Sequence, residues 1–266
     1  MFFVLDIGNT HTVAGLYEQE RLTRQWRIKT DAAMTADEIA ITYHNLLSLA
    51  GVDLAKIEGV ALSSVVPQLD GAYIACCRDM FGGSRQPRLF TIDHETVADM
   101  ITIRLDNPAE VGADRLVNSI AALELCEGSA IVIDFGTAIT FDCVSERGEY
   151  LGGLILPGMN ISLAALAQKT AKLPQIDITT PPKQLIGTST VAAMKSGMLY
   201  GYGAMIEGLI GSLVQEMKEL GFTTITVFAT GGMARVVRPF TSSIERYEPN
   251  LTLDGLALIY HRLRTL

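Results

Sequence analysis

Two short stretches of this chain combine an acid, a glycine and small polar residues in the way that handling a phosphate chain requires. The first is Asp6-Ile7-Gly8-Asn9-Thr10-His11-Thr12-Val13, which follows the apolar run Phe2 to Leu5. Its carboxylate suits a metal ion, its glycine permits close backbone approach, and its hydroxyl and amide groups can donate to phosphate oxygens. The second is Asp134-Phe135-Gly136-Thr137-Ala138-Ile139-Thr140, with Asp, Gly and Thr repeated at a constant offset: 134 − 6, 136 − 8 and 140 − 12 are all 128. A third candidate is Asp114-Arg115, placed just after a loop bounded by Pro108 and Gly112. An adjacent acid and guanidinium suit a hydroxyl base beside an anion clamp, and an acid there equally suits a purely structural helix start. Gly231-Gly232 follows the apolar run Ile225 to Ala229. It reads either as a plain strand-to-helix turn, the commoner case, or as a bare backbone against which a flat nucleoside ring can lie.

The elements that position these residues follow from periodicity. Each acid-bearing stretch is a buried strand, a turn and a second apolar strand, followed by a short charged turn: Glu18-Gln19-Glu20-Arg21 in one copy and Ser145-Glu146-Arg147-Gly148 in the other. Thr35 and Glu38 form a capping box for a helix through Ile39, Tyr43, Leu46 and Leu47, with Gly51 at its end. A strand over Val60 to Val65, a helix opening at Pro67 and a strand near Arg88 to Ile92 follow. In the second half, a helix carries Asp114 in its first turn, and Gly152 to Gly158 is a glycine-flanked strand and loop. A helix spans about Ile161 to Lys169, and Lys172 to Leu185 is extended. Thr188-Ser189-Thr190 caps a long helix to Leu220, and Thr252 caps the last helix. The alternation of strands and helices is that of an α/β protein. The repeated turn implies an internal duplication, with like domains over residues 1–110 and 111–266 and an acid-bearing turn from each facing a central cleft.

Composition narrows the class. Length, 266 residues, suits about two domains, and 48% hydrophobic residues with 24 glycines suit a compact enzyme. A net charge of −8, spread without blocks, argues against nucleic acid and anionic membrane surfaces as partners. The N-terminus lacks a basic region, Asp6 interrupts it early, and no window approaches a membrane span. Cys76, Cys77, Cys126 and Cys143 and the four histidines have no metal-ligand spacing, which suits core thiols in a reducing cytoplasm. No Gly-x-Ser-x-Gly elbow, Walker A loop or Gly-x-Gly-x-x-Gly fingerprint occurs.

Taken together, these residues resemble the type III pantothenate kinases of the acetate and sugar kinase/Hsp70/actin superfamily. The match runs through Asp6-Ile7-Gly8-Asn9-Thr10, Ser64-Val65-Val66-Pro67, Asn107-Pro108, Gly112-Ala113-Asp114-Arg115 and Asp134-Phe135-Gly136-Thr137-Ala138. It continues through Gly152-Gly153, Pro157-Gly158, Thr190, Gly231-Gly232 and Leu251 to Leu256. The resemblance implies duplicated actin-like (ribonuclease H-like) domains and ATP-dependent phosphorylation of pantothenate, the first step of coenzyme A synthesis. It also implies Mg²⁺ with ATP, a monovalent cation (K⁺ or ammonium) and a homodimer. By the same resemblance, Asp6, Ile7, Gly8, Asn9, Thr10, His11, Thr12 and Val13 cradle the ATP phosphates, with Asp6 at Mg²⁺ and Thr137 joining from the second turn. Gly231 and Gly232 lie by the adenosine, and Asp134 stands at the monovalent cation. Gly112, Ala113, Asp114, Arg115 and Thr190 hold pantothenate, with Asp114 as general base. Many members place Tyr before the Asp-Asn-Pro step where this chain has Leu105, which puts an aromatic contact to pantothenate in doubt. Two other functions fit the same scaffold: an exopolyphosphatase-like phosphohydrolase and a regulatory accessory protein. Retention of both acid turns and Asp114 favours catalysis.

Overall fold

The structure is a computed structural model that describes residues 1–81 and 87–265. The chain begins with three strands, β1 (Phe2–Ile7), β2 (His11–Glu18) and β3 (Arg21–Lys29). Next come α1 (Ala36–Leu49), β4 (Gly59–Ser64), α2 (Pro67–Met80), β5 (Arg88–Thr91), the short β6 (Thr102–Ile103) and α3 (Ala113–Leu125). The same opening recurs as β7 (Ser129–Phe135), β8 (Ala138–Ser145) and β9 (Glu149–Pro157). Then follow α4 (Met159–Lys169), α5 (Thr190–Glu219), β10 (Ile225–Thr230), α6 (Ala234–Val237), β11 (Arg246–Tyr247) and α7 (Leu251–Leu263).

Packing divides the chain into two units, residues 1–121 with 251–266, and residues 122–250. In the first, the strands lie in the order β3-β2-β1-β4-β5, with the β1–β2 and β2–β3 pairs antiparallel and the β1–β4 and β4–β5 pairs parallel. In the second, β9-β8-β7-β10-β11 repeats that order and those directions pair by pair. The duplication seen in two turns is therefore a duplication of sheet topology. One detail departs from the constant sequence offset. Ile7 pairs with Thr12, leaving four residues in the first turn, whereas Phe135 pairs with Ile139, leaving three in the second. Thr12 is thus the structural counterpart of Ile139, not of Thr140, and both are buried.

Each central strand is apolar on both faces because both faces are covered. Alternate residues of β1 point to opposite sides. Phe3 packs with Tyr43 of α1, ring centroids 5.5 Å apart, while Phe2 stacks on Tyr260 of α7 at 4.4 Å. The core of the first unit gathers Leu5, Ile7, Leu47, Leu62, Leu69 and Tyr73. That of the second gathers Ile131, Ile133, Phe141, Leu199, Ile206 and Val227.

The helices begin where the chemistry of their first turns directs. Thr35 and Glu38 cap α1 reciprocally, and Gly51 follows with φ +71. Pro67 stands in the first turn of α2, and Ser189 caps α5 through Ala192 N at 3.2 Å. Three expectations are corrected. No strand was expected after the charged turn Glu18 to Arg21, yet β3 follows it, with Trp26 and Ile28 half-buried against the first core. Thr252 lies inside α7, where its hydroxyl donates to Asn118 Oδ1 at 2.8 Å, so it is not the cap. The packing units also differ from the segments 1–110 and 111–266, since α7 returns to the first sheet. Tyr17 donates to Asp254 Oδ1 at 2.6 Å, and Gly255 sits so close that a Cβ there would lie 2.7 Å from the Val117 carbonyl oxygen.

Candidate active site

Asp6 is the penultimate residue of β1, half-buried at the strand's carboxyl end, and Ser63 Oγ donates to its Oδ1 at 3.3 Å. Beyond it the chain turns over Gly8, Asn9, Thr10 and His11, closed by Gly8 N donating to the His11 carbonyl at 3.2 Å. Asn9, Thr10 and His11 are exposed, as a ligand-facing turn requires. Ile7 and Thr12 are not: both are fully buried. The Thr12 hydroxyl faces the core, 3.0 Å from Thr30 Oγ1 and 3.3 Å from Tyr73 Oη. Its side chain therefore serves the inside of the turn and not a phosphate, contrary to the expectation for its hydroxyl. Val13 is half-buried and pairs with Asp6.

The Asp114 loop reaches the same end of the same sheet. Val65 N donates to the Ile7 carbonyl at 3.0 Å, and a Cβ at Gly112 would lie 3.6 Å from Val65 Cγ1. The loop is shaped by Asn107, whose side chain accepts from Ala109 N at 3.2 Å and donates to Glu110 Oε1 at 3.0 Å. Gly112 then starts α3, its carbonyl accepting from Arg115 N and Leu116 N. A Cβ at Gly112 would stand 2.6 Å from Asp114 Oδ1, so any larger residue would push the carboxyl aside. Asp114 Oδ1 accepts from Arg115 N at 2.8 Å. Burial raises its pKa above the ordinary aspartate value, and it prevails over the lowering effects of that N–H and of the Arg115 charge. A half-buried carboxylate of raised pKa near the carboxyl end of a sheet is a fit proton acceptor. One of its oxygens fills the structural role of an N-terminal acid by accepting the Arg115 N–H.

In the second unit Asp134 occupies the equivalent place, penultimate in β7 and half-buried. Gly231 lies against it with φ +86; a side chain there would collide with Asp134 Oδ1 and with the Phe135 backbone, 2.7 Å away. Met233 N donates to the Phe135 carbonyl at 3.2 Å, locking the Gly231-Gly232 turn onto the acid turn. Gly232 is exposed. Thr137 is exposed at the tip, and Gly158 N donates to its carbonyl at 3.1 Å. Gly158, at the end of the glycine-flanked strand and loop, packs directly on the Gly136 and Thr137 carbonyls and caps α4. Thr190 is exposed at the first position of α5, among backbone N–H groups that the helix leaves unpaired internally.

Among the described residues, no three His, Cys, Asp or Glu side chains gather as a metal cluster. Among them also, no helix is long and apolar enough to cross a membrane. A family model described as type III pantothenate kinase matches residues 2–212. The chain belongs to that family.

Full-length relatives agree. A type III pantothenate kinase from Desulfotalea psychrophila is 48% identical over 264 residues, covering 99% of both chains. One from Moorella thermoacetica is 43% identical over 262 residues, covering 98% of this chain and 99% of the relative. Among solved structures, the Acidaminococcus fermentans (R)-2-hydroxyglutaryl-CoA dehydratase component A is similar at TM-score 0.56 and 12% identity, over 98% of this chain and 97% of that one. The activator of the 2-hydroxyisocaproyl-CoA dehydratase from Clostridium difficile, with bound ADPNP, is similar at TM-score 0.53 and 12% identity, over 100% and 97%. At such identities these two show the fold alone, an actin-like one.

Within this pantothenate kinase fold, the structure brings together Asp6, Gly8 to His11, Gly112 and Asp114 in one unit, and Asp134, Thr137 and Gly231 in the other. Sequence reading missed Ser63 and Thr30. Ser63 sits in a strand run, where one hydroxyl carries no signal, and its pairing with Asp6 is set by the parallel β1–β4 register.

Proposed function

We propose that Asp114 is the general base of an ATP-dependent pantothenate kinase, taking the proton of the primary hydroxyl as the γ-phosphoryl group transfers in line. As a type III pantothenate kinase, the chain phosphorylates pantothenate in coenzyme A biosynthesis. The observation that carries the base assignment is geometric. The Asp114 loop packs on Val65, whose N–H bonds the Ile7 carbonyl beside Asp6, so the proposed base and the phosphate turn lie at one end of one sheet. Phosphoryl transfer asks mainly for alignment and charge neutralisation, and one carboxylate for the hydroxyl proton.

Around that pair the other roles follow. Gly8, Asn9, Thr10 and His11 hold the ATP phosphates. A single carboxylate at Asp6 suits Mg²⁺, which keeps waters and binds largely through phosphates. When bound, that ion neutralises developing phosphate charge. Asp134 would hold the monovalent cation, and Gly231-Gly232 the adenosine. Gly112, Ala113 and Arg115 position pantothenate, with the Arg115 guanidinium suited to its carboxylate. The acid-turn function belongs to both halves, the phosphate turn to the first and the cation site to the second. Exposed Ile155, Ile161, Leu166, Val191 and Tyr200 in the second unit support a homodimer, and the reduced cysteines support a cytoplasmic setting.

The test is ADP release with and without pantothenate, in potassium and in sodium buffers. Asp114→Asn is expected to fold normally and lose roughly 10²–10⁴-fold in kcat. A variant that keeps near wild-type kcat would end the base assignment. Phosphate release independent of pantothenate would point instead to hydrolysis.

A further inference from the structure

Thr30 was not among the residues that the sequence singles out, yet it holds the first turn from two sides. It stands just past the end of β3, half-buried, where His11 pairs with Lys29. Its backbone N–H donates to the Thr10 carbonyl at 3.0 Å, and its hydroxyl donates to the Gly8 carbonyl at 2.7 Å. Behind it lie Thr12 Oγ1 at 3.0 Å and, beyond that, Tyr73 Oη at 3.3 Å from Thr12. Each hydroxyl has one proton. Since Thr30 spends its proton on Gly8 and Tyr73 donates to Thr12, Thr12 must donate to Thr30. The bonds therefore run one way, from Tyr73 through Thr12 and Thr30 to the Gly8 carbonyl, and each polarises the next.

We infer that Thr30 is a positioning residue for nucleotide: it draws the Gly8 and Thr10 carbonyl oxygens to itself and so keeps those acceptors away from an anion seated on the turn. A carbonyl oxygen aimed at a phosphate oxygen repels it; one tied to a hydroxyl or an N–H does not. The inference rests on the reading of Gly8 to His11 as the phosphate turn. It assigns the buried Thr12-Tyr73 pair to holding the turn's shape, and Thr30 to holding its electrostatics.

The experiment compares Thr30→Val, Thr30→Ser and Tyr73→Phe with the wild type, using calorimetric titration with ADP and initial rates with ATP and pantothenate. Thr30→Val keeps the backbone bond and loses the hydroxyl. It is expected to weaken ADP binding and raise KM for ATP about fivefold or more, the effect of one hydrogen bond. KM for pantothenate should stay within about twofold, and Thr30→Ser should restore ADP affinity to within about twofold. Tyr73→Phe should weaken ADP binding in the same sense by less, and it carries the test should Thr30→Val fail to fold. Unchanged ADP affinity in the folded variants overturns the inference. So does a Thr30→Val loss shared equally by kcat and both KM values, or a Thr30→Ser variant as impaired as Thr30→Val. A wild type that binds ADP but releases none from ATP in a pantothenate-dependent way would sink the kinase reading alone. One that binds no ADP would sink both.

Discussion

Asp114 owes its suitability to a neighbour with no side chain. Gly112 leaves the space that Asp114 Oδ1 occupies, and the Arg115 N–H fixes that oxygen at 2.8 Å. Burial then raises the carboxyl's pKa, so it binds a proton at higher pH than an ordinary aspartate. Under the proposed base role the charged form accepts the proton, so activity is lost as pH falls through that raised pKa. We expect log(kcat/KM) for pantothenate to fall with unit slope on the acid side, with an apparent pKa above the ordinary aspartate value, while ADP affinity holds through the same range. An acid limb at or below that ordinary value would remove Asp114 from the profile. Gly231 carries the opposite lesson. Its φ of +86 and its contact with Asp134 demand glycine for structural reasons alone, whatever lies beside it.

At the scale of elements, α5 is tied to the segment after α6 by one carboxylate. Glu207 accepts from Thr241 Oγ1, from the N–H groups of Ser242 and Ser243 at 2.9 and 3.1 Å, and from both serine hydroxyls at 2.7 Å. Those hydrogen bonds, Thr241's first, hold its pKa down from 4.5 to about 2. A lowered folded-state value means stability that is fully present above about 4.5 and is lost as pH falls through about 2. Glu207→Gln should therefore destabilise the fold at neutral pH, by on the order of 1 kcal/mol once solvent screening is allowed for. Its deficit against wild type should shrink as pH drops below about 4.5, read by thermal melts across pH. A deficit that is constant with pH would show that packing, not the charge, ties the elements. The helices themselves were legible because their signals are local: Thr35 with Glu38, and Pro67 at a first turn. β3 was not, since Arg24, Gln25, Arg27 and Lys29 interrupt its few apolar residues, and its pairing with β2 is what turns Trp26 and Ile28 to the core.

Over the whole molecule, the last element completes the first unit. Leu251, Leu253, Leu256, Ile259 and Tyr260 of α7 are buried, and Tyr260 covers Phe2 on the face of β1 that α1 leaves open. Chain ending at Asn250 would uncover that face of β1 and β4. We expect such a truncation to be insoluble or to melt without a cooperative transition, whereas the full chain melts cooperatively. A truncated chain that melts within a few degrees of the full one would show that α7 is dispensable. The same topology, repeated strand for strand in the second unit, places Asp134 where Asp6 stands in the first.

The amino-acid sequence by itself determined the two acid-bearing turns, their duplication, the capped helices and the family. Those follow from residue types and spacings within a few turns of chain, where the physics is local. Only the tertiary structure decided that the second turn is one residue shorter, that the Thr12 hydroxyl points inward, that Thr30 grips the Gly8 carbonyl, and that α7 returns to β1. Each depends on which distant residue becomes the partner of a hydroxyl or an apolar face, and periodicity registers that a group is buried without registering against what.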